Sequence, residues 1–169
     1  MKNLTFKLLV VLSLLLLAST SVLAINTPYV NENSGTLTAM VTNGNEGYAI
    51  GFEYGLTDKM AFSAKLGDPG DKMGLKYEYK PGLSVLGGLY LSESAYIGVN
   101  ISAASMLKAN SSDMCTALEF GLTPENDEFK LFYEMGLIYN LKKDVSLRGG
   151  FSGKTGTDAI VELGMGYNF

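Results

Sequence analysis

The run V-E-L-G-M-G-Y-N-F, from Val161 to Phe169, puts Val161, Leu163, Met165, Tyr167 and Phe169 on one parity and Glu162, Gly164, Gly166 and Asn168 on the other. Successive side chains of a strand point to opposite faces, so this strand has one wholly apolar face and one small or polar face. Two environments fit such a strand. It can lie between lipid and a polar interior, or it can be a sandwich strand with one face in a soluble core.

The rest of the chain decides between them, because the same alternation recurs. Working back from the C-terminus, the segments are Val145–Ser152, Phe129–Asn140, Met114–Leu122, Tyr96–Ser102, Leu83–Leu91, Met73–Tyr79, Met60–Leu66, Gly47–Leu56 and Gly35–Asn43. Turn residues separate them, among them Asn43-Gly44, Thr57-Asp58, Asp68-Pro69-Gly70-Asp71, Pro81-Gly82, Thr123–Asp127 and Lys142-Lys143-Asp144. Segments of about ten residues with dyad alternation, divided by turns, are the pattern of transmembrane barrels. What opposes the apolar face is rich in Gly, Ala and Ser with isolated charges, which suits the narrow lumen of a small closed barrel. The expected fold is therefore all-β, a closed antiparallel up-and-down transmembrane β-barrel. Ten strands are favoured; eight is the alternative, reached if the fifth and sixth segments are one strand and a weak one is lost. Tyr54, Tyr77, Tyr79, Tyr139, Tyr167 and Phe169 fall near one end of the hairpins and would form one interfacial girdle.

An alternating run that ends on Phe169, with Tyr167 two residues before it, resembles the closing strand of bacterial outer-membrane β-barrels. That resemblance implies that Tyr167 and Phe169 act as an assembly signal read by the barrel-assembly machinery. In general pattern the chain resembles the small OmpX- and OmpA-like barrels, a likeness that specifies no ligand.

The start of the chain agrees with export. Lys2 and Lys7 precede an apolar run from Leu8 to Ala18 with Ser13 inside it, followed by Ser19-Thr20-Ser21 and Val22-Leu23-Ala24. This is a secretory signal peptide with cleavage expected after Ala24, and its apolar run is shorter than the roughly 20 residues of a transmembrane helix. Residues 1–24 are thus the signal peptide, 25–34 an irregular leader and 35–169 a single barrel domain. Removing Lys2 and Lys7 leaves 11 basic residues against 17 acidic ones, a net charge of −6, which disfavours nucleic acid as a partner. Cys115 is the single cysteine, so no internal disulfide supports the fold. It reads as a small buried side chain.

The chain has no histidine. Serine-type triads therefore lack their ordinary base, and outer-membrane barrel enzymes of the lipase, deacylase, palmitoyltransferase and omptin types, which resemble one another in relying on one, are not matched. No metal-ligand cluster or cofactor motif appears, and Asp68–Asp71 reads as a solvated turn rather than a calcium loop. Glu53, Glu78, Glu119, Glu134 and Glu162 share the inward parity with Lys65, Lys76, Lys130 and Arg148. Acids and bases in a narrow lumen read as a charge-paired filling rather than a catalytic carboxylate pair.

The leading expectation is a monomeric, non-enzymatic barrel in the outer membrane of a Gram-negative bacterium. Lipid would be its main partner, its role structural or surface-interacting, and its surface ligand unspecified. A narrow channel for small solutes, and a soluble periplasmic barrel binding an apolar ligand, are the other two readings.

Overall fold

The computed structural model describes residues 30–92, 94–102 and 114–169. The signal peptide with its Ala24 cleavage site, leader residues 25–29 and the polar stretch Lys108–Asp113 lie outside the described residues.

Ten strands follow one another: β1 (Gly35–Thr42), β2 (Tyr48–Gly55), β3 (Met60–Gly67), β4 (Lys72–Lys80), β5 (Leu83–Tyr90), β6 (Ala95–Ser102), β7 (Met114–Glu125), β8 (Glu128–Lys142), β9 (Val145–Lys154) and β10 (Ile160–Asn168). Each pairs antiparallel with its sequence neighbours, and β1 pairs with β10, so the sheet closes into a barrel without a free edge. The eight-strand alternative is excluded. The fifth and sixth segments are separate strands, paired from Leu83↔Ile101 to Leu89↔Ala95. The alternation of the fifth is blurred by Leu86, an apolar residue that faces inward and is buried.

The two ends of the barrel differ. One, the terminal end, carries the start of β1 and the end of β10, with the β2–β3, β4–β5 and β8–β9 turns; the other, the turn end, carries the β1–β2, β3–β4, β7–β8 and β9–β10 turns. At the terminal end Thr57 Oγ1 accepts the backbone N–H groups of Lys59 (3.2 Å) and Met60 (3.0 Å), the local reason for the tight β2–β3 turn. Tyr77, Tyr79, Tyr139, Tyr167 and Phe169 are all exposed here, while Tyr54 is half-buried. Leader residues 30–34 form no strand but are docked: Asn33 N–H bonds Gly55 O (3.0 Å), and Gly55 N–H bonds Ser34 O (2.9 Å).

At the turn end two expectations are corrected. Asp68 is buried rather than solvated, because it serves as a backbone anchor: its carboxylate accepts the Thr42 hydroxyl and the N–H groups of Gly47 (3.0 Å) and Glu46 (3.3 Å), fixing the β1–β2 turn. Thr123, Pro124 and Glu125 belong to the β7–β8 ladder, paired with Lys130, Phe129 and Glu128, rather than to the turn, leaving Asn126-Asp127 as a two-residue turn with φ of 52° and 63°. Pro124 fits there because β6 makes its last pair at Ile97↔Leu122, so no neighbour needs the N–H that proline lacks.

The two faces of the wall are opposites. Outside, apolar side chains lie in the open, with Ile97 63% and Val41 62% exposed. Met73, Met114, Met135 and Met165 follow this outer face. Inside, Lys76 is 1%, Glu119 1% and Glu162 0% exposed. Inward glycines serve as floors for long side chains. A Cβ at Gly74 would lie 2.4 Å from the Tyr96 hydroxyl, one at Gly121 2.7 Å from the Phe132 ring, and one at Gly166 2.5 Å from Arg148 Nε. The small inward residues seen in the sequence are thus filled space rather than open bore.

Candidate functional site in the barrel lumen

Charged side chains from strands on opposite walls meet at mid-barrel. Lys72, the first residue of β4, reaches Glu119 of β7 at 2.6 Å and Glu134 of β8 at 2.7 Å. Lys65 of β3 bonds Glu162 of β10 at 2.8 Å and lies 3.6 Å from the same Glu134 oxygen. The result is a chain of alternating charge across the bore, Glu119–Lys72–Glu134–Lys65–Glu162. Neutral donors add to it at both ends: Ser152 Oγ donates to Glu162 (2.6 Å), and Asn100 Nδ2 to Glu119 (3.3 Å). Each buried charge needs such partners, since an uncompensated ion in the interior is strongly destabilising.

Nearer the terminal end, Lys76 pairs with Glu53 at 2.7 Å, and buried Arg148 donates from Nε to Ser146 Oγ (3.1 Å). Nearer the turn end, Tyr90, Tyr96 and Phe132 pack edge to face with centroids 5.4 to 6.4 Å apart. Lys72 Nζ sits 5.7 Å from the Tyr96 ring centroid and 5.4 Å from that of Phe132, and Lys154 Nζ covers Tyr90 at 4.1 Å. A roof of rings thus lies over the ionic belt, with two lysines on its faces.

Of the nine inward charges read from the sequence, Lys65, Glu119, Glu134 and Glu162 meet in the belt, Glu53 and Lys76 form a separate pair, and Arg148 is buried nearby. Two stand elsewhere. Lys130 is at the turn-end rim, its side chain 29% exposed and paired with the open Glu128 at 3.1 Å. Glu78 is at the terminal rim, where it accepts the N–H groups of Val30 (3.1 Å) and Gly82 (3.3 Å). Parity gave their direction but not their height along the axis. Lys72 is outside the inward set read from the sequence, because the alternation there starts at Met73 after the Asp71 turn; extended one residue back, the same parity includes it. Among the described buried residues, Glu53, Glu119, Glu134 and Glu162 stand against Lys65, Lys72, Lys76 and Arg148, while Asp68, the fifth buried acid, is held by the Thr42 hydroxyl and backbone N–H groups rather than by a cation.

Cys115 is half-buried rather than buried as expected, near the terminal end, its sulfur 3.5 Å from Ser102 Oγ. No group of three or more Asp, Glu, Cys or His side chains positioned to hold a metal ion occurs among the described residues. Tyr167 and Phe169 lie on the outer face, each 55% exposed, with their rings stacked at 6.5 Å.

Fold and interior together define a class: a closed ten-stranded antiparallel barrel of the membrane type, apolar outside and filled inside. Solved structures with a similar fold are membrane barrels. The KdgM porin superposes with a TM-score of 0.50 at 11% identity, over 80% of this chain and 99% of that one. The N-terminal barrel domain of Pseudomonas aeruginosa OprF gives 0.37 at 15%, over 82% and 98%. A de novo designed transmembrane β-barrel gives 0.41 at 14%, over 83% and 99%. At such identities the likeness concerns the fold alone. No protein-family model matches the chain, and no curated protein sequence is similar to it.

Proposed function

We propose that this protein is a non-enzymatic β-barrel of a Gram-negative outer membrane, inserted as a monomer after signal-peptide removal, with a structural or surface-interaction role and a closed lumen. The observation that carries this reading is the inversion of burial across one wall: Glu162 is fully buried while Met165, three residues along the same strand, is 52% exposed. In water such an apolar exterior would drive association; in lipid it is the solvated face. The ionic belt supports a plug rather than a passage, since its distances leave the lysines engaged from both walls. The absence of histidine from the chain weighs against the acid–base chemistry of the known barrel hydrolases. Lipid and, during biogenesis, the barrel-assembly machinery are the partners this reading requires.

The test is membrane fractionation combined with gel mobility. The protein is expected in the outer-membrane fraction, and an unboiled sample is expected to run differently from a boiled one in SDS, because a closed sheet offers no edge at which unfolding begins. Recovery in the soluble periplasmic fraction with identical mobility before and after boiling would refute the proposal.

A further inference from the structure

The barrel closes where β1 meets β10, and at its terminal end that seam is fastened in three layers. The backbones of Gly35 and Phe169 exchange both hydrogen bonds, at 2.8 and 2.9 Å. On the inner side the Thr36 hydroxyl donates to Asn168 Oδ1 at 3.0 Å. On the outer side the Phe169 ring leans across the seam over Gly35 and approaches Phe52 of β2, centroid to centroid 6.5 Å. Gly35 has the outward parity of Leu37, Ala39 and Val41 and yet is buried, because the ring covers it. A Cβ at position 35 would lie 2.5 Å from Phe169 Cζ and 2.7 Å from Cε2, closer than the 3.1 Å to Glu53 O, so the ring is the main occupant of the space that a side chain would need.

Alternation sets which face of β1 looks inward, but it does not distinguish registers two residues apart, since both keep every side chain on its proper face. A register two residues away would set the Phe169 ring against Leu37 or beyond the start of the strand. Gly35 is the position on the outer face of β1 that has no side chain. We propose that Gly35 and Phe169 form a seam lock: the terminal ring seats in the socket left by the glycine and thereby selects the register in which the barrel closes. Phe169 thus acts within the chain, independently of any recognition of the C-terminus by an assembly factor.

The experiment is refolding of the purified protein into detergent micelles without assembly factors, following the compact form on unboiled gels and its rate of loss on heating. Four proteins are compared: parent, Gly35→Ala, Phe169→Ala and the double variant. Each single variant is expected to lose the compact form about tenfold faster than the parent, the size of effect for residues in direct contact. In the Phe169→Ala background the added Gly35→Ala change is expected to alter the rate by less than about twofold, because the ring it would strike is gone. Should Gly35→Ala yield no compact form at all, the double variant is expected to restore it. Equal effects of Gly35→Ala in both backgrounds, failure of that restoration, or a Phe169→Ala protein indistinguishable from the parent would overturn the lock.

Discussion

The inner and outer faces of the wall are made from the same strands, residue by residue, and obey opposite rules. On β8, Glu134 is 3% exposed and its neighbour Met135 is 45% exposed. A soluble protein hides its methionines and displays its glutamates. Here the bore is the place where charge must be matched, and the exterior is the place where charge cannot go. The difference teaches that the barrel has two solvents to satisfy besides water: hydrocarbon outside, and its own side chains inside.

The comparison is most easily broken at Lys72. Lys72→Met removes the cation between Glu119 and Glu134 and is expected to destabilise the barrel by about 3–5 kcal/mol, the usual penalty for leaving one half of a buried ion pair. Lys130→Met, with the same inward parity but at the rim, is expected to cost under about 1 kcal/mol. Urea unfolding of the two variants in micelles checks the contrast. Equal losses would mean that the belt is not buried.

Met135→Arg probes the other face. At mid-strand in lipid the charge is expected to cost about 2–4 kcal/mol and to lower the yield of inserted protein. A water-exposed site would tolerate the same change within about 0.5 kcal/mol. Refolding yield into vesicles distinguishes the two, and an unaltered yield would favour the soluble reading.

A smaller effect separates glycines that serve as floors from those that do not. A Cβ at Gly98 would meet Phe120 O at 2.6 Å and the Phe132 ring at 3.0 Å, so Gly98→Ala is expected to cost about 1–3 kcal/mol by overpacking. At Gly87 the nearest atom would be 3.6 Å away, and Gly87→Ala is expected to fall within about 0.5 kcal/mol of the parent. Thermal loss of the compact form measures both.

All ten strands were legible in the sequence, since alternation depends only on local pleat geometry and the outer face tolerates few polar residues. Their ends were less so. Thr123-Pro124-Glu125 has turn-like chemistry and yet extends β7, because pairing with β8 outlasts pairing with β6. The composition of the lumen was legible as a set of inward charges, whereas its architecture was not. Which charges meet depends on how far each strand is offset along the barrel axis, a property of register between strands that no single strand's pattern contains. Lys130 and Glu78 share the inward parity and yet, for that reason, stand at opposite rims. The Tyr90–Tyr96–Phe132 roof shows the same limit, since its rings come from three strands and meet only once the sheet has closed.

The central claim, a bore sealed by its own paired charges, is tested most directly by planar-bilayer recording on purified refolded protein. A ten-stranded barrel is only modestly wider than an eight-stranded one, whose interior side chains fill, whereas open aqueous channels belong to about sixteen strands or more. The parent is expected to be electrically silent, and the variant with Lys72→Ala and Arg148→Ala is expected to leak. Steady, defined conductance steps from the parent would contradict the sealed lumen and establish a narrow channel in its place.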